Sequence, residues 1–252
     1  MKKVLILSIC MLASLSNANT NPLPIPYKLP PFPLLISDPF SNNFPVDADG
    51  IFYVTQTRFL MVGVGDYSIY GARSSFYSST GDTSTGHFIG NVTLNDSNAL
   101  FYWRDSTYKS FGMDLSNDTS FQWQFDDPNS SPTARTQDQF VTTKPLINIS
   151  NFNLDIIDTN VYRNFPYAYA HPSITADSII YILASDSLRI LKKVTGTSTG
   201  ISFSPTDMLT LPSSDKGGLF IIVYNVMPAI INGKKYYFQN NSTAIIGLLH
   251  VF

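Results

Sequence analysis

Ser120-Phe121-Gln122-Trp123-Gln124-Phe125 alternates aromatic and amide side chains from Phe121 onward. A period of two puts Phe121, Trp123 and Phe125 on one side of an extended chain and Gln122 and Gln124 on the other, which is the signature of a half-buried β-strand. Runs of the same kind lie on either side. Upstream are Ile51–Gly65, Tyr67–Tyr77, His87–Leu94, Ala99–Arg104 and Tyr108–Met113. Downstream are Phe152–Ile157, Ile179–Ala184, Leu188–Val194, Gly218–Val226, Lys235–Gln239 and Thr243–Val251. Turn-forming clusters separate many of them: Ser78–Gly86, Asn95–Asn98, Asp126–Pro132 and Ser213–Gly218. Ile179–Ala184 and Leu219–Val223 are apolar at every position, as expected of strands buried on both faces.

Many short strands without alternating helices predict an all-β fold, an antiparallel sandwich or jelly-roll-like domain. A β-propeller would show regular blade repeats, and the chain has none. One short echo exists: Thr80-Gly81-Asp82-Thr83-Ser84-Thr85-Gly86 resembles Thr195-Gly196-Thr197-Ser198-Thr199-Gly200. Either a duplicated sandwich half or two independent Ser/Thr/Gly loops would produce it.

Composition agrees with this fold class. All 18 acidic residues are aspartate, which favours caps and turns, and none is glutamate, which favours helices. Any glycosidase-type carboxylate pair would therefore consist of two aspartates. The net charge is −2, with no basic stripe, which argues against nucleic-acid binding.

Residues 1–18 read as a cleaved secretory signal peptide. Lys2 and Lys3 precede an apolar run from Val4 to Leu15, and Ser16 and Ala18 stand at −3 and −1 of the expected cut. The run is shorter than the roughly 20 residues a membrane span needs, so no transmembrane segment is expected in the mature chain. The single cysteine, Cys10, lies inside this run, leaving the mature chain without disulfides. The expected location is secreted, periplasmic or on the cell surface.

Residues 19–48 read as an extended proline-rich arm, with Pro22, Pro24, Pro26, Pro30, Pro31, Pro33, Pro39 and Pro45. Leu23, Ile25, Leu29, Phe32, Leu34, Leu35 and Ile36 make it too apolar for a solvated spacer. It is expected to pack along the domain or onto a partner, including a second copy in a homo-oligomer. Residues 49–252 form the β domain.

Four features carry candidate chemistry. Tyr102, Trp103, Arg104, Asp105 and Trp123 resemble the aromatic and polar sets with which β-sandwiches hold sugars, the ring covering a C–H face while polar groups orient the ligand. Alternation puts Phe101 and Trp103 on one face and Tyr102 and Arg104 on the other. The competing reading makes both tryptophans core residues. Asp47-Ala48-Asp49-Gly50 resembles the start of a calcium loop, with Asp47 and Asp49 as metal ligands and Asp66, Asp126, Asp127 and Asn129 as further donors, or else a plain turn. Gly196-Thr197-Ser198-Thr199-Gly200 matches the G-x-S-x-G elbow, followed in order by Asp207, Asp215 and His250, but lacks the strand-to-helix context. His87, His171 and His250 show no metal-ligand spacing. Seven glycosylation sequons, at Asn91, Asn95, Asn117, Asn129, Asn148, Asn240 and Asn241, matter only in a eukaryotic host.

The favoured function is a secreted or surface binding protein, recognising a glycan or a surface protein in lectin-like or adhesin-like fashion. Two alternatives are a polysaccharide hydrolase using paired aspartates and a pore-forming or membrane-acting toxin using Ser/Thr-rich, weakly charged stretches such as Thr195–Ser204.

Overall fold

The computed structural model describes residues 48–61, 65–77, 88–96, 98–103, 106–126, 139–152 and 159–252. The described residues all belong to one compact unit. The signal peptide and proline arm, Asp47, Arg104, Asp105, Asp127, Asn129, Ser78–Gly86 and the expected strand from residue 153 to 157 lie outside the described residues.

The fold is all-β. A long sheet runs in the order β12 (Arg189–Thr195), β11 (Ser178–Ala184), β14 (Ser214–Ile231), β15 (Lys234–Val251), β1 (Gly50–Met61), β2 (Gly65–Phe76), β6 (Tyr108–Phe111), β5 (Phe101–Tyr102), and short β9 (Asn160–Val161) joins the end of β15. A second sheet orders β4 (Asn98–Ala99), β3 (Val92–Leu94), β7 (Phe121–Phe125) and β8 (Gln139–Thr143). β10 (Tyr167–Ala170) pairs with β13 (Gly200–Phe203), and one helical turn, α1 (Pro205–Met208), follows.

The strand pairs are antiparallel, as expected, except at β15, which pairs in parallel with β1 and β9. β1 and β15 run parallel from Gly50↔Tyr236 to Leu60↔Ile246, at the centre of the long sheet. Parallel neighbours need a long crossover, and here nearly the whole domain lies between them in sequence. The turn expected at Ser213–Gly218 is instead the bulged start of β14, with register shifts at Gly217 and Gly218.

β14 and β15 form an 18-on-18-residue hairpin closed by Asn232-Gly233. Both turn residues have positive φ, 51° and 77°, as a two-residue type I′ turn requires. Pro228 lies beyond Tyr224, where β11 stops pairing with β14, so its missing N–H falls where β14 has one neighbour.

The first face of the long sheet is covered in two halves. Over β1, β2 and the start of β15 lies the four-stranded sheet, enclosing an aromatic core. Phe52 stacks on Phe238 at 4.5 Å between ring centres and meets Trp123 edge-on at 4.9 Å. The alternation of Phe121, Trp123 and Phe125 is thereby explained, since all three are buried in this core while Gln122 and Gln124 are half-exposed. Over β11, β14 and the end of β15 lie β10, β13 and α1, with Tyr167, Tyr169, Phe203 and Met208 against Ile179, Tyr181, Ile221 and Ile246.

A crossing segment separates the halves. On β15, the Asn240 amide donates to the Lys144 carbonyl and the Ser242 hydroxyl to that of Ile147 (2.6 Å for the latter). Arg58 Nη1 donates to the carbonyls of Ile149 and Ser150 at 2.6 and 2.9 Å. The polar residues interrupting the apolar pattern of β15 thus satisfy backbone groups that have no strand partner.

One buried polar group makes this second core sensitive to pH. His171 stacks on Phe152 at 4.5 Å. Its Nδ1–H donates to the Pro172 carbonyl, so Nε2 accepts the Tyr181 hydroxyl proton. Burial pushes the imidazole below its ordinary pKa, opposed by the Pro172 carbonyl, and pushes Tyr181 up to about 12. The unfolded chain therefore takes up the His171 proton first. Its contribution to stability is complete above pH about 6.5 and falls as pH drops through the lower folded value. Urea unfolding midpoints of the wild type should decline from pH 7 to 5, and His171→Gln should flatten that slope. An unchanged slope in the variant would rule His171 out as the cause.

Candidate functional site

The long sheet ends in the β5–β6 hairpin, where Phe101 pairs with Lys109 and Tyr102 with Tyr108. Its turn is held by Trp103 N–H to Thr107 O at 2.8 Å and Ser106 N–H to Trp103 O at 3.0 Å, with Ser106 at φ 60°. Tyr108 anchors it to the core. The Tyr108 hydroxyl accepts the Ile89 N–H at 2.9 Å and donates to Gly90 O at 3.0 Å. Tyr102 packs against the Tyr108 ring at 5.0 Å and against Phe88 at 5.2 Å.

The opposite face of this hairpin is open. Phe101 is 69 %, Phe111 65 % and Trp103 43 % exposed. Lys109 Nζ sits 5.8 Å from the centre of the Trp103 ring, within cation–π range. Across the register Lys109 pairs with Arg73, and Gly71 with Phe111. A Cβ at Gly71 would stand 3.2 Å from the Phe111 ring, so the missing side chain lets that ring lie over β2. Arg73 Nε is buried without a hydrogen-bond partner. The result is a strip of three exposed rings beside two cations on a well-anchored edge.

The sequence-predicted site residues separate here. Trp103 and Tyr102 are exposed on opposite sides of the hairpin, as alternation required, with Phe101 on the Trp103 side. Trp123 is fully buried in the aromatic core and presents no surface, so for this residue the core reading holds. Sequence reasoning missed Arg73, Lys109 and Phe111 as members of the strip. Their meeting depends on the β2–β6–β5 register, which spacing along the chain does not reveal.

The other candidates are accounted for locally. Asp49 Oδ2 accepts the Lys235 N–H at 2.7 Å, and the Asp49 N–H donates to Lys235 O at 2.8 Å, closing the β1–β15 end. Among the described residues no three His, Cys, Asp or Glu side chains gather into a metal-holding group. The Ser198 hydroxyl donates to Gly200 O at 2.8 Å. Asp207 caps α1 through the Ser204 N–H and hydroxyl and binds Lys192 Nζ at 2.6 Å. Those contacts, Lys192 first, draw its carboxyl down to about 2. Asp215 does reach His250, at 3.5 Å. Asp215 borders a shallow hollow with Ser213 and Ser214, but the Ser214 hydroxyl accepts the Lys216 N–H at 3.0 Å and that of Ser213 accepts from Arg163 at 3.5 Å. No helix among the described residues is long and apolar enough to cross a membrane.

No family model and no curated protein matches this chain. Among solved structures, the FN1–FN3 domains of chicken CNTN1 align at 7 % identity with a TM-score of 0.23, covering 68 % of this chain and 62 % of that one. A structure described as giving insight into host cell surface retention of a 1.5-MDa bacterial ice-binding adhesin aligns at 9 % identity with a TM-score of 0.20, covering 81 % and 65 %. This chain thus spans less than two thirds of either, and at such scores neither alignment bears on fold or function.

Proposed function

We propose that the protein is an extracellular or cell-surface binding protein that recognises glycans through the Trp103 edge of the long sheet. The observation that carries this reading is the exposed Phe101–Trp103–Phe111 strip with Lys109 and Arg73 beside it. Exposed rings bury the C–H face of a pyranose while retaining little side-chain entropy to lose. The two cations favour sugars bearing a carboxylate or sulfate, through charge-assisted hydrogen bonds. The leader-like residues 1–18 support an exported chain. Arg104 and Asp105, next to Trp103 in sequence, are proposed as additional ligand contacts. Calcium through Asp47 and Asp49 remains part of the proposal only as an accessory at the start of β1.

The test is a glycan array probed with the chain from residue 19 to 252, with and without a calcium chelator, followed by titration of the best binder. Trp103→Ala should weaken binding about tenfold or more while leaving the urea unfolding midpoint unchanged. Lys109→Ala should selectively weaken acidic glycans. If Trp103→Ala binds as well as the wild type, the strip is not the site. A chelator-dependent signal would bring Asp47 and Asp49 into it.

A further inference from the structure

The long sheet is apolar on both faces, and only one has been accounted for. On the second face Ile180, Ile182, Phe220, Ile222, Tyr224 and Ile245 form one buried cluster. Ile51, Tyr53 and Tyr237 form another, together with Ala48. Among the described residues, apart from Ala48 and Tyr77, which flank β1 and β2, these clusters are built only from strands of the sheet itself. Two faces of one sheet cannot bury each other, so something else must cover this one. A monomer rarely exposes an apolar patch larger than a few hundred Å².

We propose that residues 32–47, the domain-proximal half of the proline-rich arm, lie across this second face. Three features of the chain support the choice. The described structure begins at Ala48, which is 0 % exposed and belongs to the Tyr53–Tyr237 cluster, so the chain enters the sheet on this side. The preceding residues carry Phe32, Leu34, Ile36, Phe40, Phe44 and Val46, enough side chains for a hydrophobic cover. Finally, Pro33, Pro39 and Pro45 lack the N–H a ladder strand needs, so the segment is suited to pack by its side chains rather than add to an edge.

Reach is ample. Sixteen residues extended at about 3.1 Å each span about 50 Å, whereas crossing β1, β15, β14 and β11 takes three strand spacings of about 4.8 Å. The arm is thus an intramolecular layer of the domain, making that half of it a three-layer structure.

The absence of cysteine downstream of Cys10 makes the test direct. Thr243 lies on the second face of β15, between the two clusters. In the chain from residue 19, Thr243→Cys is combined in turn with Leu34→Cys, Phe40→Cys and Phe44→Cys, and each pair is treated with a short bis-maleimide at low protein concentration. At least one pair should close within a monomer, seen as a faster-migrating band and an intact mass. Closure only in covalent dimers would mean that a neighbour's arm covers the face, and would overturn the proposal, as would failure of all three pairs. As an independent reading, the Leu34→Asp/Phe40→Asp/Phe44→Asp chain should bind bis-ANS several-fold more strongly while keeping the far-UV spectrum of the β domain. Unchanged dye binding in that variant would also count against the arm.

Discussion

Trp123→Ala is expected to lower the free energy of unfolding by about 3–5 kcal/mol, which for many domains is a large share of the total. Trp123 is the largest fully buried side chain among the described residues. It meets Phe52 edge-on, and Phe52 in turn contacts Phe76, Phe125, Tyr236 and Phe238. Truncation therefore leaves a cavity where the four-stranded sheet rests on β1 and β15. Rings that interlock edge-to-face cannot all slide inward to fill it, because each is already held by several others. Urea unfolding followed by intrinsic fluorescence of the remaining Trp103 would measure the loss. A drop below about 1 kcal/mol would mean that the small sheet is not a tightly packed cover. Paired with the neutral stability expected of Trp103→Ala, the result separates the two tryptophans: one holds the fold together, the other faces solvent.

Gly196→Ala should cost about 3 kcal/mol, although it adds only a methyl group. A Cβ placed on Gly196 would lie 1.7 Å from the carbonyl oxygen of Ala176 and 2.2 Å from its carbon. Those are backbone atoms of the segment just before β11, so relief requires moving that segment rather than turning a side chain. The first glycine of the G-x-S-x-G match is thus explained by close packing of the turn after β12 against the segment before β11. Its last glycine follows the same logic, with Tyr169 O at 2.3 Å. Ser198→Ala, which removes the hydroxyl that donates to Gly200 O, should cost only about 1 kcal/mol. Gly233→Ala provides a contrasting control. It has open space around it but φ 77°, so its cost of about 1–2 kcal/mol is conformational. Thermal unfolding of the three variants would rank them, and a Gly196→Ala chain as stable as wild type would contradict the close approach.

Much of this architecture was legible in local pattern. The alternation at Phe121–Phe125 marks a strand with one buried face, and the unbroken apolar runs Ile179–Ala184 and Leu219–Val223 mark strands buried on both. They are direct neighbours, with Leu183 opposite Leu219 and Ile179 opposite Val223. The hairpin joining β14 to β15 was also legible, in Asn232-Gly233, although reading Gly218–Val226, Lys235–Gln239 and Thr243–Val251 as separate strands passes over it. Asn240, Asn241 and Ser242 look like a break between strands because three consecutive polar residues rarely belong in a core. Only the folded chain shows that Asn240 and Ser242 are held there by the carbonyls of Lys144 and Ile147, about a hundred residues upstream.

The candidate site divides in the same way. Sequence identified Trp103 as an unusual aromatic and its face relative to Tyr102. It did not distinguish Trp103 from Trp123, since both sit in strand-like, aromatic surroundings. By itself, then, the sequence determined the all-β class and the positions of many of the strands, because those follow from a period of two acting on nearest neighbours. The tertiary structure alone decided the parallel pairing of β1 with β15, the division of one sheet face between two covers, and the meeting of Arg73, Lys109, Phe101 and Phe111. Each of these depends on register between strands distant along the chain, and register is set by how whole faces fit together rather than by any local run of residues.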